Sequence, residues 1–177
     1  MHDHLLDRYV RATRLLSQVC GFVAAALIGF SVLVVCEMVF VRYALNENTI
    51  WQTDFVTYSL VAATFIGSPF VLMTHGHVNV DVLPHWLSPR KRFWLALFST
   101  LLAMTFCVVM GVLTSRYWLE AWNNSWRSNT MWRARLWIPY AAMPLGLGIL
   151  TLQYVSELLC LVTGREPPFG IKTERHK

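Results

Sequence analysis

The sequence predicts an all-α integral membrane protein with four transmembrane helices. Hydrophobic residues make up 55% of the 177 residues, above the usual share in soluble domains. A helix needs ~20 apolar residues to cross the hydrocarbon core. Four runs of about this length contain no Asp, Glu, Lys, Arg or His: Leu15–Cys36, Phe55–Thr74, Phe93–Ser115 and Leu136–Ser156. The segments between them are too short for a separate soluble domain.

The distribution of Lys and Arg predicts that both termini are cytoplasmic, because these residues favour the cytoplasmic side of short loops. One side holds ten of the 15 cations, within residues 8–14, 90–92 and 165–177. The other side holds five: Arg42, Arg116, Arg127, Arg133 and Arg135. The net charge of +5 therefore indicates membrane topology, and no nucleic-acid partner is expected.

Three regions are predicted along the chain: a basic cytoplasmic lead at 1–14, a single four-helix membrane domain at 15–163 and a cytoplasmic tail at 164–177. The lead is amphipathic, and we expect it to lie against anionic head groups. The first membrane helix extends from Leu15 to Val41. It carries a stripe of small residues that favours close contact between helices: Gly21, Ala25, Gly29 and Ser31.

The second predicted helix extends from Trp51 to Met73. Asp54 in its first turn is favourable toward the helix dipole, and Asn48 or Thr49 is expected to cap its start. Pro69 should kink the helix and free a carbonyl that a neighbouring group must satisfy.

The segment 75–92 joins the second and third helices on the inner side. His77, Asp81 and His85 could share one helical face and bind a metal, but Pro84 interrupts any helix there. A polar turn that positions two helices is the favoured interpretation, with no metal or cofactor in this chain. None of the six histidines lies in an apolar run, which argues against a haem held between helices.

The third predicted helix, Phe93–Ser115, is the plainest and is expected to be a structural wall. In the outer segment that follows, Trp118, Trp122 and Trp126 recur every four residues, on one face of a helix. This predicts an interfacial helix between the third and fourth membrane helices, because indole prefers the head-group region. A partner-binding surface is the alternative, since Trp is frequent at binding hot spots.

The fourth predicted helix begins near Trp137, with Pro139 in its first turn. Pro144, Gly146 and Gly148 indicate that it is bent or closely packed. Two carboxylates lie near opposite membrane faces, Glu37 in the first helix and Glu157 in the fourth. Each is expected to reach the interface or contact a partner subunit, and together they are too few for an ion site.

Four motifs, in order, resemble the small, Q-type permease subunit of tripartite ATP-independent periplasmic (TRAP) transporters. The first is the stretch Glu37–Tyr43, which ends in Val41-Arg42-Tyr43, and the second is Trp51-x-x-Asp54, where the family more often has Glu. The third is Gly76-His77-Val78-Asn79-Val80-Asp81, which resembles the most distinctive family segment. The fourth combines Ile138-Pro139, Pro144-x-Gly146 and Leu152-Gln153.

The resemblance implies a membrane scaffold in a sodium-coupled transporter for small organic acids. The implied partners are a large M-type permease subunit, which would hold the sodium and substrate sites, a periplasmic solute-binding protein, and membrane lipids. It implies no catalytic residue and a location in the bacterial inner membrane. The candidate motif and subunit-contact residues are Glu37, Arg42, Tyr43, Trp51, Asp54, Gly67, His77, Asp81, Trp118, Trp122, Trp126, Pro139, Pro144, Gly146 and Gln153.

Two other functions are weighed against this one. A membrane redox subunit, carrying haem or linked to quinone, would require paired cysteines or histidines within the membrane runs. A stand-alone channel or small exporter would require a polar stripe along a helix, and the third helix offers none.

Overall fold

The computed structural model describes residues 2–74 and 89–163, and this part of the chain folds as a helical bundle. Its helices are α1 (His2–Ala44), α2 (Gln52–Met73), α3 (Pro89–Asn123), α4 (Trp137–Tyr140) and α5 (Ala142–Val162). Within the described ranges, four stretches are long and apolar enough to cross a membrane: Leu6–Ala44, Gln52–Met73, Phe93–Asn123 and Trp137–Val162. The last combines α4 and α5. The predicted all-α architecture of four membrane helices is confirmed.

The helices do not pack in sequence order. α1 lies mainly against α2, and α5 contacts α1, α2 and α3. α3 packs chiefly against α5, so most of its surface faces outward. The interior is small, with an apolar cluster formed by Leu72 of α2, Cys107 of α3, and Leu147 and Leu150 of α5. α5 is therefore the central helix of the bundle.

The buried face of α1 follows a three–four spacing. Its members are Thr13, Ser17, Cys20, Ala24, Ser31 and Val34. This spacing keeps one face toward a partner helix along its whole length. The predicted small-residue stripe is right at Gly21 and Ser31 but wrong at Ala25 and Gly29, which are exposed. The predicted lead is continuous with the membrane helix, since α1 is helical from His2 onward.

α2 contains Pro69, as expected, and the structure shows how the freed carbonyl is satisfied. A proline cannot donate to the carbonyl four residues earlier, here that of Phe65. Ser68 Oγ donates to this Phe65 oxygen at 2.8 Å. The capping prediction was wrong, because the α2 N-terminus has no side-chain cap. Thr49 Oγ1 instead accepts a hydrogen bond from Arg42 at 3.0 Å.

The predicted interfacial helix between the third and fourth membrane helices was wrong. α3 continues without a break past Ser115 to Asn123, so Trp118 and Trp122 lie in its last turns and Trp126 lies beyond it. Arg116 and Glu120 carry charge but do not break a helix. The helix ends where Ser125 adopts a left-handed conformation with φ of 49°.

Residues 124–136 fold back as a short loop. Arg127 and Arg135 form an isolated antiparallel bridge, and Leu136 N donates to the Trp126 oxygen at 3.1 Å. α4 and α5 meet at Ala141, whose φ of −60° and ψ of −28° are helical. Pro144 lies in the first turn of α5, where its missing N–H leaves the Tyr140 carbonyl without its usual helical donor.

Candidate functional site

Two helices approach closely at Gly146 of α5, which lies against Phe65 of α2. A Cβ placed on Gly146 would come within 2.9 Å of the Phe65 Cβ and closer still to the Phe65 carbonyl. Only glycine fits such a crossing, as small residues do in membrane helix contacts. The same carbonyl is the one freed by Pro69. The proline of α2 and the glycine of α5 therefore act at one crossing point.

The contact between α1 and α2 is built in a similar way. A Cβ on Gly21 would lie 2.5 to 2.9 Å from three atoms of the Phe70 side chain. One on Gly67 would lie 3.1 Å from the Ala24 Cβ. The candidate residues Gly67 and Gly146 thus hold helices of this chain together, in agreement with the expectation that the last helix is closely packed.

Gln153 joins α5 to α1 through a buried hydrogen bond. Ser17 Oγ donates to Gln153 Oε1 at 3.1 Å, and the two residues are 0% and 3% exposed. Nearby, the Tyr9 hydroxyl donates to the Leu152 oxygen at 3.1 Å. A polar pair inside a membrane bundle stabilises helix association, with an average of ~0.6 kcal/mol in double-mutant cycles.

The opposite end of the bundle, which carries the segments 45–51 and 124–136, is called the loop-bearing end. Here the start of α2 meets the 124–136 loop. Thr130 Oγ1 donates to the Asp54 carboxylate, and the rings of Trp51 and Trp132 lie 6.5 Å apart. The family motif Trp51-x-x-Asp54 thus contributes both of its named side chains to one contact with this loop.

The predicted tryptophan face is divided between the loop and the bundle. Trp118 Nε1 donates to the Trp137 oxygen at 3.0 Å, and the Trp122 ring lies 4.5 Å from the Trp137 ring. Trp126 instead packs against Tyr117 at 5.4 Å. Pro139 lies beyond Trp137 in α4. Trp118 and Trp122 therefore fasten the end of α3 to α4, while Trp122 is still 49% exposed.

Glu37 is exposed on α1 and has a partner on α2. Gln52 Nε2 donates to Glu37 Oε2 at 3.4 Å. The other amide atom, Gln52 Oε1, is buried and has no hydrogen-bond partner within the described residues. This pair therefore keeps unused hydrogen-bonding capacity beside an exposed carboxylate.

The remaining candidates are peripheral or outside the described residues. Tyr43 is 83% exposed at the end of α1, beside Arg42. His77 and Asp81 lie outside residues 2–74 and 89–163. Within those ranges, no group of three or more His, Cys, Asp or Glu side chains is placed to hold a metal.

Several residues of these contacts were not singled out from the sequence. Ser17, Gln52, Phe65, Phe70 and Thr130 are ordinary in their local segments. The one available signal was polarity, since Ser17 interrupts an apolar run as Gln153 does.

Comparison with known proteins identifies the family. The profile of the family described as "Tripartite ATP-independent periplasmic transporters, DctQ component" matches residues 31–164. The chain is also similar to the C4-dicarboxylate TRAP transporter small permease protein DctQ of Vibrio cholerae serotype O1 (strain ATCC 39315 / El Tor Inaba N16961). The two are 24% identical over 165 residues, covering 81% of this chain and 71% of the relative. No solved structure matches this chain.

The matched region contains three of the four motifs in described helices and loops, and it also spans the segment with His77 and Asp81. It selects the transporter-subunit interpretation over the redox and channel alternatives. The chain therefore belongs to the DctQ component family of tripartite ATP-independent periplasmic transporters and is a multi-pass protein of the bacterial inner membrane.

Proposed function

We propose that this chain is the non-catalytic scaffold subunit of a sodium-coupled transporter for small carboxylates. It has both termini in the cytoplasm. A large permease subunit holds the substrate and sodium sites, and a periplasmic binding protein delivers the solute. The relative from Vibrio cholerae carries C4-dicarboxylate in its name, so dicarboxylates are the first substrates to test.

The proposal rests on the observation that polar groups inside the bundle form hydrogen bonds with other groups of this chain. Ser17 and Gln153 bond to each other across two helices, Ser31 bonds to the backbone of its own helix, and Ser68 satisfies the carbonyl freed by Pro69. The Ser17–Gln153 bond holds α1 and α5 in one arrangement, and the other two bonds engage their hydroxyl groups within a single helix. A subunit built this way is suited to remain fixed while its partner moves.

The exposed Glu37 carboxylate, held by the buried Gln52, is our candidate contact for the large permease. A donor from that subunit would give the exposed Glu37 carboxylate a second hydrogen bond. Charge-assisted bonds of this kind are roughly twice as strong as neutral ones. Removing the carboxylate should weaken subunit association and leave the coupling chemistry intact.

The test is uptake of a C4-dicarboxylate into proteoliposomes. The small subunit alone should give no uptake, and the full set of large subunit, binding protein and sodium gradient should give uptake. Glu37→Gln and Glu157→Gln should leave the sodium dependence of that uptake unchanged, even where the amount falls. A changed sodium stoichiometry in either variant would place part of the coupling site on this chain and contradict the scaffold role.

A second measurement tests whether the chain stays fixed. In a background without the four native cysteines, Glu37→Cys and Gln52→Cys are joined by a short bis-methanethiosulfonate, which links the two thiols through disulfides that a reductant cleaves. Transport by the cross-linked complex should match that of the same variant before cross-linking. Loss of transport on cross-linking, with reversal on reduction, would show that α1 and α2 move relative to each other during the cycle.

A further inference from the structure

A deep apolar groove opens at the loop-bearing end, between α2 and the pair formed by α4 and α5. Its volume is about 680 Å³, and its walls include Phe55, Ala62 and Ile66 of α2 and Ile138 and Leu145 on the facing side. From Phe55 to Ile66 the helix rises ~16 Å. Half of a ~30 Å hydrocarbon core is about the same length. The groove therefore matches one leaflet in depth.

Three arginines border this groove: Arg127, Arg133 and Arg135. The antiparallel bridge pairs Arg127 directly with Arg135, so both side chains leave the same face of the loop. Like charges placed opposite each other in this way are destabilising. In the part of the chain that the structure describes, no acidic side chain forms an ion pair with any of the three. Asp54, a carboxylate at the same end of the bundle, is bonded to Thr130.

The groove is apolar, has the depth of one leaflet and is bordered by three arginines, and these features indicate the chemistry of its occupant. The occupant has a long hydrocarbon chain and an anionic head. Guanidinium groups bind phosphate oxygens in a bidentate manner. Trp132 and Tyr58 also line the groove, and such rings prefer the head-group level.

We propose that the groove binds one anionic phospholipid. An acyl chain lies along α2 between Phe55 and Ile66, and the lipid phosphate lies between Arg127 and Arg135. Arg133 contributes from the neighbouring turn. The bound anion relieves the repulsion within the bridge, and the acyl chain fills the space between α2 and α5. This site is distinct from the proposed contact at Glu37 and Gln52.

The test is lipid binding to the full chain, purified together with its large permease partner, by native mass spectrometry. Phosphatidylglycerol and phosphatidylcholine with identical acyl chains are compared. Phosphatidylglycerol should bind more tightly, by about fivefold for each arginine that contacts the phosphate. Arg127→Gln/Arg135→Gln should abolish this preference. Arg133 stays unchanged in the variant because its backbone has a left-handed φ of 49°. A substitution there could alter the loop conformation as well as remove the charge.

Matched variants separate the groove from general charge. Arg116→Gln removes a cation from the same end of the bundle without touching the groove, and it should change the preference by less than twofold. Ala62→Phe fills the groove and should reduce binding of both lipids at least tenfold. Ala25→Phe, on the exposed face of α1, should leave lipid binding unchanged.

Two results would overturn the proposal. One is equal binding of the two lipids, which would show that the arginines do not select a lipid of net negative charge. The other is a photo-crosslink from position 138 to a peptide of the large subunit in place of lipid. That result would assign the groove to a protein partner.

Discussion

Ser17 and Gln153 lie 136 residues apart in the sequence and share a fully buried side-chain hydrogen bond between two helices, at 3.1 Å. It connects α1, the first helix, to α5, the last. Removing only one of the two partners is costly in free energy, because the other partner then stays buried and unpaired.

Ser17→Ala should lower the free energy of unfolding by ~1 kcal/mol, within the range measured for hydrogen bonds between membrane helices. Ser31→Ala is the control. Ser31 is also buried, at 3% exposure, but donates only to Leu27 of its own helix. Unfolding in mixed micelles measures both. Gln153→Met in the Ser17→Ala background should recover part of the loss, because no unpaired amide then remains. Equal costs for Ser17→Ala and Ser31→Ala would contradict this account.

Gly146→Ala should destabilise the bundle by ~1–3 kcal/mol, the usual cost of overpacking, because its methyl group would meet the Phe65 backbone. Gly148→Ala is the matched control on the same helix, since a Cβ there meets nothing within 4 Å. It should be neutral or stabilising by up to ~1 kcal/mol through helix propensity. Thermal unfolding of the two variants side by side decides the matter, and a stable Gly146→Ala would refute the close crossing.

Trp118→Phe should weaken the attachment of α3 to α4 by ~0.5–1.5 kcal/mol, because it removes the hydrogen bond to the Trp137 oxygen and retains an aromatic ring. Trp122→Phe should cost less, since the Trp122 contact with Trp137 is a ring contact that Phe largely preserves. Circular dichroism during denaturation avoids the fluorescence changes that both substitutions cause. A larger loss in Trp122→Phe than in Trp118→Phe would reverse the assigned roles.

The topology is tested by labelling single cysteines in intact cells. Asp3→Cys and Lys172→Cys should react with a membrane-impermeant reagent only after the inner membrane is permeabilised, because the Lys and Arg distribution places both termini inside. Asn129→Cys, in the exposed part of the 124–136 loop, should react without permeabilisation. Labelling of the two terminal positions from the periplasm would invert the proposed orientation.

The number and type of helices could be predicted from the sequence, because four apolar runs of membrane length leave few alternatives. Helix ends were less predictable. The third helix was predicted to end at Ser115, before Arg116, yet a charged residue can remain helical beyond the hydrocarbon. The period of four shared by Trp118 and Trp122 is equally compatible with a separate interfacial helix and with the extended α3 that is observed.

Packing partners could not be derived from local pattern. Gly21 and Gly29 lie on the same helix, as do Gly146 and Gly148, yet one member of each pair faces a neighbour and the other faces open space. Gly21 faces Phe70 and Gly146 faces Phe65, both on α2, and nothing in the local sequence of either glycine indicates this neighbour. Gly146 and Gln153 were identified through a family motif and Gly67 as a subunit-contact candidate. Their partners Phe65, Ser17 and Ala24 had no such signal.

The central position of α5 also governs the order of assembly. During synthesis α1 and α2 are available first and can pair as a hairpin. α3 then enters the bilayer before its main partner exists. The bundle closes only when the last helix has been made and has reached all three of the others. A gene truncated before the codon for Ala142 would therefore encode a hairpin and a solitary helix, each exposed to lipid, rather than a smaller version of the bundle.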